Sequence, residues 1–260
     1  MKKEIMILKK YIKLVIFILF TSNILYAQQI DKILFMTENY PPYNFKSNNK
    51  MEGIAVELLL EMLKKVNAKQ TRKDIVLIPW QRGYHYTLTK NNHALFSTTR
   101  TKEREKLFKW VGPISKTSIG LIAKKSKKIK IKNISQISKY SVGVVREDIG
   151  EQLIFKLDIQ PKYVRSIGGS DASNKLILML QRNRFDLLAY EINVIKWAMK
   201  KNNFILSNYE NIYTLKDAEL YYAFHKDTPD ETIKLLQSAL NSIKKEGLFK
   251  KIHSQDKYTR

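Results

Sequence analysis

Lys32-Ile-Leu-Phe-Met-Thr37, then Glu38-Asn-Tyr-Pro-Pro-Tyr-Asn44, then Ile54 to Val66 behind Gly53 set the alternation on which the fold reading rests. The first run is short and apolar, with the composition of a strand. Its two prolines make the second a loop, since they stop both a ladder and a helix. In the third, Val56, Leu59, Leu60, Leu63 and Val66 recur at helical spacing. Ile75-Val-Leu-Ile-Pro79 repeats the strand, with Trp80 just beyond it. Tyr84 to Lys90 reads as a helix and Ala94-Leu-Phe-Ser97 as a third strand. Such alternation predicts α/β layers around a mostly parallel sheet.

A second α/β unit is expected over roughly 118–220. Its strands are Tyr140–Val145, Lys162–Arg165 and Phe185–Ala189, and its helices Gly150–Leu157, Asp171–Arg182 and Asn193–Lys201. Leu176, Met179 and Leu180 are expected to face inward, and Lys124–Lys132 to be a solvated hairpin or loop. Tyr221-Tyr-Ala-Phe224 reads as a strand. Thr228-Pro-Asp-Glu231 reads as a capping box opening a last long helix, with Pro229 at its first helical position. Ile233, Leu236, Leu240 and Ile243 form that helix's buried stripe, and Gly247 caps its end. Two similar units imply a cleft between them, where ligands favour the carboxyl ends of strands.

The chain has 260 residues, 47 Lys and Arg against 24 Asp and Glu, and no cysteine. With 44% hydrophobic residues it can bury a real core. The missing cysteines exclude a disulfide scaffold, a thiol nucleophile and a Cys-based zinc site. The formal charge of +23 permits an acidic partner without identifying one. Residues 1–27 read as a secretory signal: five lysines, the apolar run Leu14–Phe20, and Leu25-Tyr-Ala27 as cleavage site. Removal would leave 233 residues at +19, since the segment carries five Lys and one Glu. The expected destination is the periplasm.

Ser97-Thr-Thr-Arg-Thr-Lys-Glu-Arg104 follows a strand, so hydroxyls and guanidinium should meet at its carboxyl end. Such a group can hold a carboxylate, Arg giving a two-pronged, charge-assisted pair. A solvated basic turn is the competing reading of the same residues. No P-loop, dinucleotide fingerprint or Gly-x-Ser-x-Gly occurs, and the four histidines lack ligand spacing. No cofactor and no metal are expected.

Several segments together resemble the family 3 extracellular solute-binding proteins, receptors of polar amino acid ABC transporters. They are Thr37–Phe45, Met51–Glu57, Ser97–Arg104 with Trp110-Val-Gly-Pro113, Val142-Gly-Val144, Arg184-Phe-Asp186, and Gly247–Ile252, in family order. The resemblance implies a two-lobed α/β periplasmic binding protein type II fold with the ligand cleft between lobes. Lobe 1 would comprise 28–117 and 221–260, lobe 2 118–220. The Thr-x-x-x-x-Arg element that binds a ligand α-carboxylate falls on Thr99 and Arg104, with Ser97 beside it. The covering aromatic falls on Tyr40, a second lining position on Trp80, and the acid for the ligand ammonium on Glu191. Where many relatives carry a Gly-Thr or Gly-Ser pair after Val142-Gly-Val144, this chain has Arg146-Glu-Asp148. The carboxylates there would repel a bound carboxylate, and Arg82 and Arg100 are extra guanidiniums near the site.

The expected function is a monomeric, non-catalytic receptor for an amino acid or similar zwitterion, delivering it to an inner-membrane ABC permease. The alternatives are a cyclohexadienyl dehydratase-like enzyme on the same fold, or a ligand sensor. A nucleic-acid binder is disfavoured by export and by dispersed charge.

Overall fold

The computed structural model describes residues 29–255, apart from 158, and residue 258. The signal expected at 1–27 lies outside the described residues. β1 (Leu34–Thr37) is followed by a hairpin of β2 (Phe45–Ser47) and β3 (Lys50–Glu52), and by α1 (Ile54–Lys65). β4 (Val76–Leu77), α2 (Trp80–Thr89) and β5 (His93–Thr99) complete the first α/β unit. β6 (Phe108–Lys124) leaves it, and β7 (Val142–Val145), α3 (Ile149–Phe155), β8 (Val164–Ile167), α4 (Ala172–Gln181), β9 (Leu187–Glu191) and α5 (Ile192–Lys201) form the second. β10 (Tyr209–His225) returns to the first unit, where α6 (Asp230–Lys245) and α7 (Leu248–His253) end the chain.

One eight-stranded sheet carries the order β4-β1-β5-β10-β6-β9-β7-β8. It is mixed rather than mostly parallel. β4, β1 and β5 pair parallel at one end, and β9, β7 and β8 at the other. Between them β6 and β10 pair antiparallel over nearly their whole length, from Tyr209 opposite Lys124 to His225 opposite Phe108. The sequence reading saw only Tyr221–Phe224 of β10 and nothing of β6. The reason is visible in burial: the first half of β10 mixes half-buried with exposed residues in no regular alternation, and only Tyr209, Ile212, Tyr213 and Leu215 pack against the core. That stretch exists as a strand because it pairs with β6, which local composition does not report.

The expected helices stand, with shifted ends. α2 begins at Trp80 itself, four residues earlier than the pattern suggests. The capping box at Thr228 is absent. Pro229 occupies the cap position of α6, with no side-chain hydrogen bond, and the Thr228 carbonyl instead accepts from Lys109 Nζ at 2.7 Å. Leu236, Leu240 and Ile243 are buried along α6, and Gly247 follows it at φ 77°, the left-handed conformation that closes a helix. Lys125–Lys127 form a short 3-10 turn.

The main core lies under α1, α6 and β1 in the first unit and under α4 and α5 in the second. A second cluster, including Leu121, Val142, Val144, Ile154 and Leu187, fills the opposite face of the second unit. Burial on both faces explains why β7 and β9 read as unbroken apolar runs.

Candidate functional site

The carboxyl ends of β1, β5, β7 and β9 converge where the two halves of the sheet meet, and the polar side chains that follow them are buried. Thr99, the last residue of β5, is 3% exposed, and its carbonyl accepts from Arg104 Nη1 at 3.2 Å. A turn places Arg104 there: its backbone N–H donates to the Thr101 carbonyl at 3.1 Å and meets Thr101 Oγ1 at 3.3 Å. The guanidinium is 1% exposed and lies 5.2 Å from the ring centroids of both Trp80 and Tyr84. Such cation–π stacking contributes about 0.5–2 kcal/mol and fixes the plane of the fork. Nε and Nη2 have no hydrogen-bond partner among the described residues. Two buried donors left so are costly, by roughly 1–3 kcal/mol each, and they define an edge that can grip an acceptor.

Trp80 covers the Arg104 guanidinium from the first half, and Tyr40 of the same half reaches the second. Trp80 Nε1 donates to the Glu147 carbonyl, in the second half, at 3.1 Å. The Tyr40 ring meets Tyr190 edge-on at a centroid distance of 5.7 Å. Gln81 Nε2 donates to Glu147 Oε1 at 3.2 Å, and Lys156 pairs with Glu103. The two halves are therefore in contact around Arg104.

Ser97 lies in the left-handed region at φ 60° within β5, a conformation a serine holds only under constraint. Its hydroxyl donates to Asn44 Oδ1, and Asn44 Nδ2 donates to the Glu38 carbonyl at 2.7 Å. Ser97 thus ties the Pro-Pro loop to β5.

Glu191 ends β9 with no exposed surface. Oε2 accepts from the Val194 N–H at 2.6 Å and caps α5. Oε1 accepts from Tyr43 O–H at 3.1 Å and Asn193 Nδ2 at 3.3 Å. Burial pushes its pKa up to about 7 against the downward pull of those hydrogen bonds. The structure brings Trp80 and Thr99 onto Arg104, and Ser97 braces the loop that carries Tyr40, whose ring meets Tyr43 and Tyr190, whereas both Glu191 oxygens already have protein partners.

Sequence reasoning missed three participants. Tyr84 shares the Arg104 guanidinium with Trp80. Glu38, at the end of β1, has its carboxyl raised well above the usual range by burial and by Asp148, while Arg104 pulls it down. Asp148, noted only as a departure from the family pattern, is 5% exposed and is raised by burial, again against Arg104. The available signals were that Glu38 opens the loop carrying Tyr40 and that Asp148 departs from the family pattern. The extra guanidiniums stand apart: Arg100 pairs with Glu105, its Nε donating at 2.7 Å, and lies 5.1 Å from the Tyr221 ring centroid, while Arg82 is exposed.

The family's sequence pattern, described as bacterial extracellular solute-binding proteins, family 3, matches residues 33–258. The chain belongs to this family. Solved structures agree on the periplasmic binding protein type II fold. A histidine kinase sensor domain with similarity to periplasmic binding proteins matches at TM-score 0.75 and 15% identity, over 85% of this chain and 94% of that one. A mutant of ArgBP from T. maritima matches at TM-score 0.74 and 20% identity, over 89% and 99%. The arginine-, lysine-, histidine-binding protein ArtJ from Geobacillus stearothermophilus matches at 0.70 and 16%, over 85% and 93%. No curated protein matches in sequence. Within this solute-binding fold the Arg104 space lies between the two lobes.

Proposed function

We propose that this family member is an exported, periplasmic receptor that closes on an amino acid or similar small zwitterion and delivers it to an inner-membrane ABC permease, without catalysis. The observation that carries this reading is the buried Arg104 guanidinium, held by the Thr99 carbonyl and two aromatic rings with its Nε and Nη2 unpartnered. That edge suits a ligand carboxylate, which accepts two parallel N–H bonds from it. Amino-acid binding by the structural neighbour ArtJ supports the same ligand class. Tyr40 and Trp80 cover the ligand, and Ser97 and Thr99 hold the binding edge in place. Glu191, engaged by Tyr43, Asn193 and Val194, fixes the closed arrangement.

Lobe 1 is read as 28–117 with 221–260, and lobe 2 as 118–220. Both boundaries fall inside the paired strands β6 and β10, where Thr117 lies opposite Ala218. A register shift between Leu220 and Tyr222 loosens the ladder beside them. Bending there would open the lobes. Among the described residues no helix is long and apolar enough to cross a membrane.

Titration of the exported protein with amino acids tests the reading. Arg104→Ala is expected to abolish binding with the fold retained, and Arg104→Lys to rescue poorly, because a point charge cannot reproduce the fork. Near-native affinity in either variant rejects the role. A second reading, a sensor that reports its ligand rather than delivering it, is favoured by the likeness to the histidine kinase sensor domain. Retention of ligand uptake in cells lacking the protein would select it.

A further inference from the structure

A cavity of about 320 Å³ lies between the Pro42–Tyr43 loop, β6 at Ser115–Lys116, and α5. That volume falls within the range of small-molecule pockets, about 300–1,000 Å³. Trp80, Thr99 and Arg104 do not line it, so it is distinct from the Arg104 space. Asn193, Lys196, Trp197 and Lys200 stand at i, i+3, i+4 and i+7, so one face of α5 makes the wall on the second lobe's side. Pro42 and Ile54 give an apolar wall from the first lobe, and β6 adds Lys116.

The charge of this lining has one sign. Lys116, Lys196 and Lys200 bring three ammonium groups, and no aspartate or glutamate lines the cavity. None of the three ammonium groups has an ion-pair or hydrogen-bond partner among the described residues. Lys196 and Lys200 are a like-charged i, i+4 pair, an arrangement that works against a helix. Lys201 adds a fourth ammonium 5.3 Å from the centroid of the Trp197 ring. Asp217 and Glu219, across the ladder from Ser118 and Lys116, line an adjoining hollow, where they accept from Ser118 at 2.7 Å and Tyr221 at 3.0 Å. A concave surface with apolar walls and charges of one sign focuses the field and concentrates counter-ions.

We propose that this cavity binds a small anion carrying two or more negative charges, held by Lys116, Lys196 and Lys200 at a site separate from the Arg104 space. Carboxylate and phosphate groups share the required chemistry, since each offers several acceptor lone pairs to ammonium donors. Multivalency follows from the count of lysines: a single negative charge would leave the lining strongly positive. The walls come from both lobes, so the bound anion bridges them.

Calorimetric titration of the purified exported protein with citrate and with pyrophosphate tests this, at an ionic strength held constant with sodium chloride. At least one probe is expected to bind saturably, one per protein. Lys196→Gln combined with Lys200→Gln should weaken it about tenfold or more, as for lost charged hydrogen bonds. Both lysines are exposed, and glutamine suits a helix as well as lysine does. Lys125→Gln combined with Lys128→Gln removes the same charge from an exposed turn outside the cavity and should leave binding nearly unchanged. Arg104→Ala should leave it unchanged too, whereas an anion seated at Arg104 would be lost. No saturable binding of either probe, equal losses in the two double variants, or loss on Arg104→Ala overturns the proposal. None of these outcomes touches the amino-acid reading, which stands or falls on its own titration.

Discussion

Glu191 shows how far one side chain's surroundings depart from its sequence context. In the sequence it is an acid after an apolar strand; in the fold it is fully buried, caps α5 and joins the Tyr43 hydroxyl across the lobe junction. Burial raises its pKa from the ordinary 4.5 to about 7. Between those values the folded protein binds more protons than the unfolded chain, so the group's contribution is complete below about pH 4.5 and is lost as pH rises to 7. Wild type should therefore gain stability relative to Glu191→Gln on going from pH 8 to pH 5, by up to ~3 kcal/mol. Urea midpoints at the two pH values measure this, and parallel profiles would show that burial does not hold the proton. Arg104 was singled out by the family resemblance, since composition alone left a solvated basic turn as the competing reading of Ser97–Arg104. The burial of Asp148 was not legible, because it depends on which distant elements pack around the end of β7.

Among elements, α3 is positioned by a contact that only glycine permits. A Cβ on Gly150 would lie 2.5 Å from the carbonyl oxygen of Ala189 in β9, so helix and strand approach through the missing side chain. Gly150→Ala should force α3 away from β9 and cost about 1–3 kcal/mol. Because Asp148 directly precedes α3, the same change should weaken ligand binding, whereas a purely local strain would lower the urea midpoint alone. The helices α1, α4, α5 and α6 were legible from their apolar stripes. The strands β6 and β10 were not. Their middle sections carry lysine, serine, aspartate and glutamate and are held by each other rather than by a core. The capping box failed because α6 starts one residue later, with Pro229 at its cap, which leaves Thr228 outside the helix.

At the scale of the whole molecule, the two lobes touch through Trp80 and Glu147, Tyr43 and Glu191, Tyr40 and Tyr190, and Glu103 and Lys156. The exposed Glu103–Lys156 ion pair contributes little, about 0–1 kcal/mol. Without solute the closed arrangement is thus weakly held, and bound solute should shift the population toward it. Small-angle scattering should show a smaller radius of gyration once an amino acid that stabilises the protein is added to saturation. An unchanged profile would count against a hinge in β6 and β10.

By itself the sequence determined the layers. The spacing of Val56, Leu59, Leu63 and Leu236, Leu240, Ile243 makes helices with one apolar face, and the runs around Phe35, Val144 and Leu188 make buried strands. These are local properties, set by side-chain period and solvent, and they suffice for an α/β chain of two units. Only the tertiary structure decided that β6 and β10 join those units into one mixed sheet, and that Arg104 is buried against Thr99, Trp80 and Tyr84. It also decided that Glu191 spends its oxygens on Tyr43, Asn193 and α5. Pairing between distant strands and the burial of charge depend on which surfaces meet, and no periodicity along the chain encodes that meeting.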